Sequence, residues 1–336
     1  MSEIKYSQLA HYTSYEGLEG ILREGFRFYS ADGMNDDQEL LCGFGVMENY
    51  FNCKLKDHPN VEVTSEKIIR SLKCFKESDF FKGFFLASFC EIDNEKDADE
   101  EKKYNEENGL LSMFRGYGKD GGYVIKFNKE KLTDLFKKMV KGDEDTFISI
   151  SSKVQYENPK IIKGNVEDVF QKIGEQFKRE GYIGPDLDIK EKLEGFCQNL
   201  LEKKDFQNLI TNVKKYFKDE WKAPLAFIIS VIFIKHYGFH EEREYRFAVA
   251  AAREDTQFPI NFDNKDGKIK SYIKVFSEKE NLEEFTDCIE EILIGPSMHK
   301  DHNKRKVEEL LLAKFPKRQK SYNKIKVVAS ETPYIG

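Results

Sequence analysis

The chain has 336 residues, a formal net charge of −6 and 40% apolar side chains, enough for one large domain or two modest ones around a sizeable core. The near-balance of 54 basic and 60 acidic residues excludes a global field drawing it onto DNA, RNA or an anionic membrane, so any nucleic-acid contact needs a local patch. Six scattered cysteines (Cys42, Cys53, Cys74, Cys90, Cys197, Cys288) form no CxxC pair and have no histidine at ligand spacing, which predicts reduced thiols in a cytoplasmic protein and no metal site.

The opening MSEIKYSQLA lacks the basic and apolar regions of a signal peptide. It leads into HYTSYEGLEGILREGF, His11 to Phe26, where Thr13 and Glu16 read as a capping-box pair. Leu18, Ile21 and Leu22 form a helical stripe there, and Gly25 reads as the C-terminal cap. Gly17 and Gly20 weaken such a helix, so close approach of another backbone or a ligand is expected at them. FRFYS then alternates like a strand, and ADGMNDDQE reads as a polar loop.

GFFLASFC predicts a buried strand. The acidic, aperiodic EIDNEKDADEEKKYNEEN after it reads as a solvated mobile loop, with a functional lid as the alternative. GLLSMFRGYG predicts a short helix or turn, Gly121-Gly122 a turn into the strand YVIKFN, and SKVQYENPKII a further strand. From Val166 to about Lys235 apolar residues recur at helical spacing, ending in APLAFIISVIFI, too short for a bilayer and read as a buried helix. EREYRFAVAAA, EEILIG and NKIKVVAS predict strands, with the helix DHNKRKVEELLLAKF between the last two. The sum is an α+β fold: a sheet core formed by residues 1–165 and 236–336, interrupted by a helical insert at 166–235.

The sharpest chemistry lies in HEEREYRF, His240 to Phe247. On a strand Glu242, Glu244 and Arg246 share one face, the glutamates roughly 7 Å apart, while Arg243, Tyr245 and Phe247 point the other way. Such a face is either an exposed charge ladder or a site where carboxylates stabilise a cation or orient a hydroxyl. The P-loop, GxGxxG, HExxH and GxSxG patterns are absent. The C-terminal KFPKRQKSYNKIK could touch phosphate, although a solvated helix end explains it more simply.

HYTSYEGLEGILREG resembles the opening of the ADP-ribosyltransferase superfamily, most closely that of DarT-type enzymes. YSADGMNDDQE, LASFCE, LLSMFRGYGKDGGYVIKF, VQY, EEREYRF and IEEILIGP resemble, in order, a bacterial family of uncharacterised AbiGi-like proteins (domain of unknown function 2971) tied to phage abortive infection. The sequence departs from that family where Met113 or Phe114 replaces a tryptophan and Asp37 a proline. The resemblance implies an ADP-ribosyltransferase-like split sheet, mixed or antiparallel, and cleavage of the nicotinamide–ribose bond of NAD through an oxocarbenium-like state.

It further implies that Glu244 is the catalytic glutamate and that Glu242 activates the acceptor. His11, Tyr12, Thr13 and Arg246 become NAD-binding, Tyr117 stacks on nicotinamide, and Ser30, Asn35 and Asp36 line the pocket. The function implied is a cytoplasmic toxin-like or anti-phage effector that modifies a protein or nucleic acid, with an antitoxin or defence-system partner and no membrane. An NAD glycohydrolase and a catalytically silent nucleotide- or partner-binding module are the alternatives.

Overall fold

The computed structural model describes residues 7–31, 39–57, 83–92, 99–118, 121–139, 148–158, 166–179, 229–250, 258–265, 267–320 and 324–333. In chain order the first elements are β1 (Gln8–Thr13), α1 (Tyr15–Glu24), β2 (Phe26–Ser30), α2 (Glu39–Asp57), β3 (Phe84–Ile92), α3 (Glu100–Asn108), α4 (Leu111–Tyr117), β4 (Tyr123–Asn128) and α5 (Lys129–Met139). They continue with β5 (Ile148–Lys153), β6 (Gln155–Glu157), α6 (Val166–Arg179), β7 (Ile234–His236), β8 (Glu244–Ala250), β9 (Asn261–Lys265) and β10 (Lys268–Val275). The last are α7 (Lys279–Asp287), β11 (Ile289–Ile294), α8 (Lys300–Lys314), α9 (Pro316–Gln319) and β12 (Lys326–Ala329). Helices combined with a mixed, largely antiparallel set of strands make the fold α+β, as the sequence predicts.

The described chain divides into two compact units. The first comprises Met1–Phe28, Ala87–Phe147 and Ile273–Gly336. Its strand order is β12-β11-β4-β1-β3, with β1 antiparallel to both neighbours: Thr13 lies opposite Tyr123, His11 opposite Ile125 and Ala10 opposite Cys90. Alternation along β1 sends Ala10 and Tyr12 into a core with Met113, Phe114, Val124 and Leu293. Leu9, His11 and Thr13 take the other face, where Phe26, Phe89, Phe127 and Phe285 pack with ring centroids 5.0–6.3 Å apart. These rings carry much of the unit's apolar burial, and their edge-on and tilted contacts add to it.

The second unit comprises Tyr29–Leu86 and Ile148–Tyr272. β5 and β8 are antiparallel, from Ile148 opposite Ala250 to Lys153 opposite Tyr245, and β6 runs parallel to β7 with Tyr156 opposite Lys235. α6 buries Val169, Ile173 and Phe177, one turn apart, and Phe177 meets Phe233 at 5.6 Å. β9 and β10 form a hairpin whose turn contains Gly267 at φ 82°.

Three local expectations are corrected. The N-cap of α1 is Ser14 rather than Thr13, because Thr13 completes the β1 ladder; the Ser14 hydroxyl accepts from the Gly17 N–H at 3.3 Å and itself donates to Glu16. The acidic segment is a helix over Glu100–Asn108, because Asp99 caps it at the Lys102 N–H (2.7 Å) and Glu100 and Glu101 oppose the positive end of the helix dipole. The rest of that loop, residues 93–98, lies outside the described residues, as do 32–38 of the polar loop. The helical block does not reach Lys235: Ser230–Phe233 is a single 3₁₀ turn and Ile234–His236 a strand, the β-branched Ile234 and its two neighbours pairing with β6 instead of continuing a helix. Residues 180–228 of that block also lie outside the described residues.

Candidate functional site

In the first unit His11, Tyr12 and Thr13 form the C-terminal end of β1. The His11 Nδ1–H donates to the Ser88 carbonyl at 3.0 Å, which fixes the orientation of the ring. The imidazole packs edge-on against Phe26 at 4.6 Å and tilted against Phe89 at 5.6 Å. Thr13 explains Gly17, since a Cβ there would sit 1.9 Å from the Thr13 hydroxyl oxygen. Nothing lies within 4 Å of a Cβ at Gly20, so the close approach expected at that glycine is not found. Gly25 is required on two counts: its φ is 77°, and a Cβ would lie 2.5 Å from the Val275 carbonyl oxygen.

Tyr12 does not join His11 and Thr13. It faces the opposite core, where its ring meets Phe114 at 5.2 Å and its hydroxyl accepts from the Leu110 N–H at 2.9 Å. Tyr15, at the start of α1, approaches Tyr123, the cross-strand partner of Thr13, at 6.0 Å, and burial, then the Tyr15 and Glu16 charges, push the Tyr123 phenol up. Tyr117 ends α4 and is exposed, whereas Met113 and Phe114 are both core residues. Gly121 and Gly122 both have positive φ in the turn into β4, where the Gly122 carbonyl accepts from the Gly295 N–H.

The second unit gathers the acidic residues more tightly. β8 begins at Glu244, so Glu242 lies in the preceding 3₁₀ turn Tyr237–Glu242 and not on the strand face shared by Glu244 and Arg246. The cause is Arg243, which adopts the left-handed region (φ 42°, ψ 51°) and donates its N–H to the His240 carbonyl. That reversal brings Glu242 back towards Glu244 from a different element. Both converge on Lys235, whose ammonium donates to Glu242 Oε2 at 2.9 Å and Glu244 Oε2 at 3.2 Å.

Arg246 forks onto the same carboxylate, Nε to Glu244 Oε1 at 2.7 Å and Nη2 to Oε2 at 3.0 Å, while Nη1 reaches the Ile232 carbonyl at 2.6 Å. The Glu244 N–H donates to the Tyr156 hydroxyl at 2.6 Å. Burial is the main reason the Tyr156 phenol is pushed up, with the Glu244 and Glu242 charges adding to it. Lys235 lies 4.9 Å over the Phe239 ring.

An exposed charge ladder is therefore ruled out: Lys235, Glu244 and Arg246 are 3%, 4% and 1% exposed. Glu242 is the more accessible carboxylate, with 13% of its side chain exposed. Two acids and two bases neutralise one another, as buried charges require. The sequence reading missed Lys235 and Tyr156; a lone lysine inside the apolar IISVIFIKH, nine residues before Glu244, was the signal, because lysine is rarely buried unless paired. Ser30 is fully buried on β2, and Asn35 and Asp36 lie outside the described residues.

Among the described residues no cluster of three or more His, Cys, Asp or Glu could hold a metal ion. No helix there is long and apolar enough to cross a membrane. Cys42, Cys90 and Cys288 are buried free thiols; burial pushes Cys42 and Cys288 up to about 12.

An α+β fold with a buried Lys-Glu-Glu-Arg cluster at the start of a strand is the class that these features define. Residues 113–247 match the model of a family described as "Protein of unknown function (DUF2971)". The matched segment runs from α4 to β8, so it contains Tyr156, Lys235, Glu242, Glu244 and Arg246 but not His11 or Thr13. No curated protein and no solved structure matches the chain.

Proposed function

We propose that this protein is an NAD-dependent ADP-ribosyltransferase, acting in the cytoplasm as a toxin-like or anti-phage effector on a protein or nucleic acid. The observation that carries the proposal is the convergence of Glu242 and Glu244 on Lys235. Breaking the nicotinamide–ribose bond leaves positive charge on the ribose, and a fixed carboxylate stabilises it where a mobile, water-solvated one would have to reorganise. Arg246 and Lys235 supply that fixity for Glu244. Glu242, less buried and held through Lys235, suits the companion role of taking a proton from the acceptor hydroxyl or amine.

Support from the first unit is separate. His11, oriented by the Ser88 carbonyl, shares its face of β1 with Thr13, and both are the residues that the resemblance assigns to NAD. Each half is tested on its own, His11→Ala by NAD affinity and Glu242→Gln by turnover.

A non-catalytic binding role has one observation in its favour: both oxygens of Glu244 already accept hydrogen bonds from Arg246. A structural network would look the same. Nicotinamide release measured on the wild type separates the two, and label transferred to a macromolecule separates transfer from simple NAD hydrolysis. Release with no label identifies the glycohydrolase; no release at all leaves the binding role.

A further inference from the structure

Residues 314–326 carry six cations, Lys314, Lys317, Arg318, Lys320, Lys324 and Lys326, and no acid, in a chain whose net charge is −6. The structure gives them different tasks. Arg318 turns inward: it pairs with Asp287 and donates to the Ile289 carbonyl at 2.6 Å, clamping α9 to the junction of α7 and β11. Ile325, 2% exposed, anchors the entry to β12, which lies parallel to β11 at the end of the strand order. Lys317, Lys320, Lys324 and Lys326 are exposed on this anchored frame, and Lys314 is half-buried beside them. Among the described residues none of these five lysines makes an ion pair.

We infer that this face, α9 together with β12, binds the phosphate backbone of a nucleic acid. Unneutralised like charges held close together repel one another, and a polyanion relieves that repulsion while releasing its own counterions. The cations are spread over a helix and a strand and do not converge on one point, which suits a chain of phosphates better than a single anion. A membrane surface is disfavoured: α9 has four residues, too few for an amphipathic face, and the apolar Ile325 points inward. A protein partner is disfavoured because, among the described residues of this face, the one exposed large apolar side chain is Val328 on β12, 36% exposed, and no exposed aromatic, the usual anchor of such an interface, accompanies it. NAD chemistry plays no part in this inference, and its test contains no NAD.

The test is fluorescence anisotropy of the full chain with a labelled thirty-nucleotide single strand and a thirty-base-pair duplex, alongside sedimentation with phosphatidylserine vesicles. With five lysines engaged on a duplex, affinity should fall about 500-fold between 50 and 200 mM salt, a slope of about −4.5 in log units. Replacing Lys317, Lys320, Lys324 and Lys326 by glutamate, all exposed and so tolerated by the fold, should abolish binding at 50 mM salt while the circular dichroism spectrum stays unchanged. The inference is overturned by failure of the wild type to bind either oligonucleotide at 50 mM salt, by undiminished binding in the quadruple variant, or by vesicle binding in place of nucleic-acid binding. The lysines would then be charges that keep an edge strand from pairing with another copy.

Discussion

The β1 end of the first unit and the β8 start of the second both hold a titratable side chain in place, and they do it by opposite means. His11 is held in place by a backbone carbonyl and aromatic rings, and Thr13 is seated by the absence of a side chain at Gly17. Glu244 is kept charged by two buried cations. The first arrangement is cheap and steric, so losing a piece of it costs little. The second is electrostatic and all-or-none: removing one partner strands another charge away from water.

The largest effect should follow from Arg246→Met. It leaves Glu244 buried with only Lys235 to neutralise it, and a loss of about 3–5 kcal/mol in urea unfolding is expected. A loss under about 1 kcal/mol would mean that the cluster is solvated and that the contrast drawn here is wrong. The exposed Lys306–Glu309 pair serves as the control, and Lys306→Ala should leave the unfolding midpoint where it is.

Smaller effects sharpen the steric side. Gly17→Ala should destabilise by about 1–2 kcal/mol although alanine favours helix, because its Cβ would displace the Thr13 hydroxyl. The double variant with Thr13→Ala should recover that loss, a coupling that a double-mutant cycle reads directly. In the same helix Gly20→Ala, with open space around it, should instead stabilise by up to about 1 kcal/mol. Equal effects at the two glycines would remove the account of Thr13.

The smallest concerns Glu24, at the end of α1. The Lys274 ammonium, helped by Arg23, holds its carboxyl at about 2 against an ordinary 4.5. A depressed carboxyl stabilises the fold fully above its unfolded value and loses that contribution as pH falls through the folded one. Glu24→Gln should therefore lose less stability than the wild type when urea midpoints at about pH 5 and about pH 2.5 are compared. An identical acid-side loss in both would show that Lys274 does not hold this group.

What could be read from the sequence was what is local. The stripe Leu18, Ile21, Leu22 and the stop at Gly25 are written in adjacent residues, and so is the alternation that puts Tyr245 and Phe247 opposite Glu244 and Arg246. The β9–β10 hairpin was not read from the sequence, although Asp266-Gly267 between NFDNK and KIKSYIKV is a hairpin turn signal. Nor was Lys235, because its partners are set by the pairing of β6 with β7 and by a left-handed residue at Arg243, which is neither glycine nor asparagine. Ser14 displaced Thr13 as the cap for a similar reason: a ladder to Tyr123, far along the chain, claimed Thr13 first.

The most direct test of the central claim is incubation of labelled NAD and a bacterial lysate with the wild type, Glu244→Gln and Glu242→Gln, each first shown to be folded by circular dichroism. Free nicotinamide and label on macromolecules are followed together, with Glu242→Gln included because its side chain is less buried and its loss spares the Arg246 fork. The account predicts nicotinamide release and macromolecular label with the wild type, neither with Glu244→Gln, and loss of the label with Glu242→Gln. A folded wild type that releases no nicotinamide, a Glu244→Gln variant that releases it at the wild-type rate, or a Glu242→Gln variant that labels like the wild type would contradict it.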